Sequence, residues 1–185
     1  MKKKLMTVLA LVLVIAMSVA GTYAYLTSQA KVENTFTVGN VSITMDEAAV
    51  DEYGALVANA DRCNANEYKL VPGHTYVKDP TIHVGANSED CYLFVEITNG
   101  LGTAGTINGL EGWTKVTGTD NVYYYNTKVS ANDKVVVFNS FTFAKDGNPA
   151  DFGSASIVIK ACAIQADGFA NPAAAYESHA VTFGA

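Results

Sequence analysis

From Thr35 to Ala166 the chain repeats one grammar: short strand-like runs rich in apolar residues, at regular intervals, separated by clusters of Gly, Asn, Asp and Pro. In the first of these runs apolar residues fall at every second position, which places them on one face and predicts a strand with a single buried face. Phe36 and Val38 alternate with threonines, then Val41, Ile43 and Met45 alternate with Ser42 and Thr44. The apolar phase slips by one at Gly39-Asn40, which calls for a β-bulge or a tight turn. Glu67–Val84 carries a Pro72-Gly73 turn and a Pro80 suited to an edge or strand start. Cys91–Thr98 is the strongest core strand, and 113–116, 121–127, 134–144 and 155–166 follow the same grammar. Such spacing predicts an all-β sandwich or barrel. Gly100–Gly112, with five glycines in thirteen residues, reads as a mobile connection. Asn171-Pro172 before an alanine run predicts an N-cap, a proline at the first helical position and a short C-terminal helix. Val181–Phe183 is expected to form a last short strand.

Ahead of these strands stands Leu5–Ala20, in which only Thr7 and Ser18 are not apolar, preceded by Lys2, Lys3 and Lys4. A basic start, an apolar run somewhat shorter than the roughly 20 residues of a spanning helix, and small residues afterwards predict a cleaved signal helix. A retained membrane anchor is the competing reading. Thr22 and Ala24 fit the small-residue positions of a cleavage site, so the mature chain is expected to start at Tyr25. Losing three lysines and no acid takes the net charge from −6 to −9. An acidic product with no later basic run has no electrostatic footprint for nucleic acid.

Catalytic constellations are missing from the sequence: it has no HExxH, GxSxG, CxxC or Walker pattern. His74, His83 and His179 lack a diagnostic spacing for zinc, and no cofactor is expected. Asp46, Glu47, Asp51 and Glu52 could offer oxygens to calcium, yet without EF-hand spacing they read as a solvated acidic loop. Cys63, Cys91 and Cys162 allow at most one bridge within a monomer, with Cys91 and Cys162 as the pair that could meet across a core. Tyr123, Tyr124 and Tyr125 must point to both faces of their strand, leaving at least one exposed.

The junction YAYLTSQAKVENTFTVGNVSITMDE, together with EYKLVPGHTYVKDPTIHV, SEDCYLFVEI, KVVVFNSFTFA and IKACAIQADGF, resembles the TasA/CalY (camelysin-like) family of exported Gram-positive proteins. The resemblance implies a jelly-roll antiparallel β-sandwich that polymerises into extracellular fibres of the biofilm matrix, the N-terminal segment of one subunit completing the sheet of its neighbour. Carried onto this chain, residues 1–24 are the signal peptide, 25–40 the donor arm with Gly39-Asn40 as its hinge, and 41–185 the sandwich. Leu26, Val32, Phe36 and Val38, all at even positions, are the arm's apolar anchors. The expected partners are further copies of the chain, other matrix or accessory proteins, and a signal peptidase during export. The expected place is outside the cell, in the matrix or on the surface. Family annotation also implies a metal-dependent peptidase, for which this sequence offers no zinc-binding helix, and a monomeric adhesin or carbohydrate-binding sandwich is a third reading.

Overall fold

The computed structural model describes residues 40–178 and 181–183. The predicted signal helix, the cleavage residues Thr22, Ala24 and Tyr25, the arm anchors Leu26, Val32, Phe36 and Val38, and His179 lie outside them. Ten strands follow in order: β1 (Ile43–Asp46), β2 (Thr75–Val77), β3 (Thr81–Val84), β4 (Cys91–Asn99), β5 (Gly105–Asn108), β6 (Trp113–Lys115), β7 (Val122–Tyr125), β8 (Lys134–Val136), β9 (Ser140–Phe143) and β10 (Ile157–Gln165). Among the described residues one α-helix, α1 (Pro172–Ser178), comes last. Every strand pair is antiparallel.

One sheet has the order β10-β4-β7-β6. The remaining strands form two three-stranded groups, β1-β3-β8 and β2-β9-β5, which a shared register joins into one sheet. The pairing runs in a single register from Thr75↔Thr142 through Val77↔Ser140 and Thr81↔Val136 to His83↔Lys134. Lys78 N–H to the Asn139 carbonyl (3.2 Å) and Val137 N–H to the Pro80 carbonyl (2.8 Å) carry the ladder across the interruption. Pro80 has no N–H to return, which is why the strand is cut there. The second sheet therefore reads β1, then β3 with β2, then β8 with β9, then β5. The orders β10-β4-β7 in the first sheet and β3/β2, β8/β9, β5 in the second interleave in sequence as in a jelly roll. β1 departs from a closed roll by lying beside β3 and not beside the last strand, β10.

The two sheets face each other over one core. Leu93, Val95, Ile97 and Trp113 come from the first sheet, and Ile82, Val84, Val135 and Val137 from the second. The odd residues of β4 point into this core. A second core of Tyr76, Leu101, Phe141 and Phe143 fills the β2-β9-β5 end, with Tyr76 and Phe141 stacked at 4.9 Å.

On the outer face of the first sheet, Tyr92 and Phe94 pack against Ala175 of α1. The Asn171 side chain accepts the Ala174 N–H at 2.9 Å, the predicted N-cap. This cover changes the reading of the three tyrosines: Tyr124 packs towards α1 and Tyr123 and Tyr125 towards the main core, and all three are half-buried. Two other expectations are corrected. The glycine-rich 100–112 stretch contains β5, because its alternation is carried by Thr106, Ile107 and Asn108 against β9. Val181–Phe183 forms no strand, and Val181 and Phe183 pack instead into the cluster beneath α1.

Candidate functional site: an open strand edge beside a groove

β10 is nine residues long, IVIKACAIQ, and among the described residues it is paired on one side only, with β4. The parity of that ladder follows from its flanks: Ala166 N–H donates to the Asp90 carbonyl and Gly100 N–H to the Ser156 carbonyl, both at 2.8 Å. In this register the even residues Val158, Lys160, Cys162 and Ile164 exchange bonds with β4, because hydrogen-bonded pairs alternate in antiparallel strands. Ile157, Ile159, Ala161, Ala163 and Gln165 therefore aim their N–H and C=O groups at the open edge. Of these, the first four also pack their side chains on the main core. A long apolar edge of this kind is a template for strand addition.

A groove of about 890 Å³ runs beside the start of β10, between Ile157 and Ile159 on one wall and Met45 and Glu47 on the other, with Phe141 and Phe152 among its apolar lining. Its upper wall is the long connection from β1 to β2, residues 47–74, which lies over the sheet as a strap. Within the strap, isolated bridges pair Glu47 with Cys63 and Val50 with Leu56. Gly54, at φ +78°, turns the strap against Tyr76; a Cβ there would lie 2.8 Å from the Tyr76 Cα, so no other residue fits.

Two polar clusters pin the strap. In the first, Arg62 bonds the Asp46 carboxylate through Nε, the Asp79 carboxylate through Nη1 (3.0 Å) and Thr81 Oγ1 through Nη2 (2.7 Å). His83 Nε2 lies 2.9 Å from the same Asp46 oxygen. Partial burial pushes the Asp46 carboxyl up, but the hydrogen bonds from Arg62 and His83 outweigh it and hold the group below its ordinary value. In the second cluster, Lys78 Nζ meets Glu47 Oε2 at 2.6 Å, and Asn66 Nδ2 donates to Glu47 Oε1 at 3.0 Å. Lys78 and Glu47 side chains are only 9% and 5% exposed. Burial, with the Glu47 charge nearby, drives the Tyr68 hydroxyl well above its ordinary value.

These partners correct the reading of the acidic loop. Glu47 is buried and paired, Asp46 serves Arg62 and His83, and Asp51 accepts the N–H groups of Tyr53 and Ala55. His74 and His83 do not converge, since His74 Nε2 bonds the Tyr53 carbonyl at 2.8 Å. Among the described residues no three His, Cys, Asp or Glu side chains are grouped to hold a metal ion. All three cysteines are free. Cys91 stands opposite Gln165 and Cys162 opposite Phe94, on opposite faces of the sheet, so the expected Cys91–Cys162 approach does not occur. Burial pushes the Cys91 thiol up to about 11 and raises that of Cys162 as well, which keeps both thiols inert.

Residues 1–58 match the family model described as camelysin metallo-endopeptidase. Over that stretch the chain is camelysin-like. Members of that family are cell-surface or secreted proteins. No curated protein and no solved structure matches the chain. The camelysin-like stretch takes in β1 and the first turn of the strap and ends before Arg62, Asn66 and Lys78. The family's name implies a catalytic metal, and the described residues do not fit one: both described histidines are engaged with protein oxygens, and no third ligand stands near either. Sequence reading missed the Arg62 and Glu47–Lys78–Asn66 clusters because their members are separated by up to 31 residues and follow no motif spacing. Arg62 alone carried a hint, as the only arginine of the chain.

Proposed function

We propose that this camelysin-like chain is a secreted structural protein of the extracellular biofilm matrix, assembling into fibres when residues 25–38 of one copy add to the β10 edge of the next. The observation that carries this reading is the nine-residue apolar edge of β10 opening beside the groove. Direction supports a donor from a second copy. Glu89 N–H bonds the Asn40 carbonyl, next to the Asp90–Ala166 bond at the far end of β10. An arm folding onto its own β10 would have to reverse at Gly39-Asn40 and run parallel to the strand. An arm from another copy is free to run antiparallel, the stronger pairing, and a head-to-tail contact of that kind propagates into a filament.

The energetics assign the deciding role to side chains. Backbone bonds contribute roughly 0.5–1.5 kcal/mol each, while association costs about 4–15 kcal/mol. Leu26, Val32, Phe36 and Val38, each worth about 1.5–3 kcal/mol when fully buried, supply the difference from one face of the arm. The test is electron microscopy and sedimentation of the processed protein beside a chain lacking residues 25–35. Filaments from the first and folded monomers from the second are expected; normal filaments from the shortened chain would refute the reading. A cell-surface metallopeptidase is the second reading, favoured by the family description. Stoichiometric zinc together with casein cleavage would establish it.

A further inference from the structure

We propose that Lys78 and Asn66 form an intramolecular amide cross-link, with Glu47 as the proton carrier. The three side chains meet at one carboxylate. Glu47 faces the lysine amine with one carboxylate oxygen (2.6 Å) and the asparagine amide nitrogen with the other (3.0 Å), so the nucleophile and the leaving group are neighbours across one carboxylate. Asn66 Oδ1, where charge develops on attack, accepts the Val50 N–H at 3.0 Å, a donor already in place for an oxyanion. Asn66 Nδ2 also donates to the Ala48 carbonyl at 2.9 Å, which fixes the amide plane. The Tyr68 ring lies 6.0 Å from Lys78 Nζ and shields the site on one side. Glu47, Asn66 and Lys78 all border the groove, which gives the leaving group a way out.

The bonds and protons balance without a co-reactant. Glu47 Oε2 takes a proton from the Lys78 ammonium, and the freed amine on its flexible stem attacks Asn66 Cγ. The tetrahedral oxyanion rests on the Val50 N–H. The C–Nδ2 bond breaks as Nδ2 gains the proton held by Glu47, through Oε1, and ammonia leaves, while the attacking nitrogen, still carrying two hydrogens, passes one of them to Glu47 Oε2. One Nζ–Cγ amide bond has formed, one Cγ–Nδ2 bond has broken, and Glu47 is left as a neutral acid. The driving force is local: a buried ion pair, which returns little net stability for its desolvation, is replaced by neutral hydrogen-bonded groups. The product joins the strap to the strand segment between β2 and β3, where pulling on a fibre would otherwise peel the strap away.

The test is mass spectrometry of the processed protein, intact and after protease digestion. We expect an intact mass lower than the sequence mass by one ammonia and a branched peptide joining Lys78 to Asn66. Glu47→Gln and Lys78→Arg should each restore the full mass while remaining folded by circular dichroism. The branched peptide is the deciding readout, because succinimide formation at Asn99-Gly100 loses the same mass. Recovery of Lys78 and Asn66 in separate linear peptides at full yield from the folded protein would overturn the proposal, whatever the intact mass. So would a branched peptide that persists in Glu47→Gln.

Discussion

At the scale of single residues, Arg62 shows how one side chain can hold a long connection in place. Its planar guanidinium reaches Asp46, Asp79 and Thr81 at once, a geometry that a lysine cannot reproduce. The side chains of Arg62 and Asp46 are 35% and 30% exposed, so solvent screens the pair and the discount for surface ion pairs applies. Arg62→Ala should therefore cost about 1–2 kcal/mol in urea denaturation, set by its charge-assisted bonds and not by buried charge. The same cluster sets an acid limit. Because the folded Asp46 carboxyl lies below its ordinary value of 3.8, its contribution is fully present above that value and is lost as pH falls through the lowered one. Arg62 and His83 face this carboxylate directly and lose its charge when it protonates, while Asp79 faces it through Arg62 and keeps its own bond to that guanidinium. Between pH 5 and strongly acidic conditions the urea midpoint should fall more steeply in the native protein than in Arg62→Ala, and equal slopes would remove Asp46 from the account.

At the scale of elements, strand existence was legible and strand pairing was not. Apolar and aromatic runs bounded by turn residues located β4, β7 and β10, although β4 buries both of its faces, the odd residues in the main core and Tyr92 and Phe94 under α1, and Asn171-Pro172 announced α1 through a local hydrogen bond. The glycines of 100–112 concealed β5, since they weaken local propensity while the ladder to β9 is a tertiary matter. Val181–Phe183 misled in the opposite direction: its apolar pattern serves packing beneath α1, not pairing. The strap clusters were illegible because partners far apart in sequence meet only after the sheets close. Ladder parity, which only the fold reveals, yields a sharp prediction for β10. Proline at Ala161 removes an N–H that points to the open edge, whereas proline at Lys160 removes one bonded to β4. Ala161→Pro should keep a near-native urea midpoint and lose filaments, and Lys160→Pro should be destabilised outright. Filaments of normal length from folded Ala161→Pro would mean that β10 is not where assembly occurs.

For the whole molecule, the departure from a closed roll is the informative feature. In a closed roll the first strand covers the last; here β1 pairs with β3, and among the described residues the edge of β10 is left to another occupant. If residues 25–38 are that occupant, the peptide alone should complement a chain lacking its own arm. Added to the shortened protein, a synthetic peptide of residues 25–38 should bind one to one and slow amide exchange at Ile159, Ala161 and Ala163, while the amides of Lys160 and Cys162, already bonded to β4, change little. A peptide carrying Phe36→Asp should bind at least tenfold more weakly, since a charge in an apolar groove costs more than the roughly 1.4 kcal/mol that separates one decade of affinity. Protection spread evenly over odd and even positions would indicate general stiffening and not an added strand. Protection confined to β1 would place the donor on the opposite wall of the groove. The alternating pattern is therefore the signature that separates strand donation from any other way in which two copies of this sandwich could adhere.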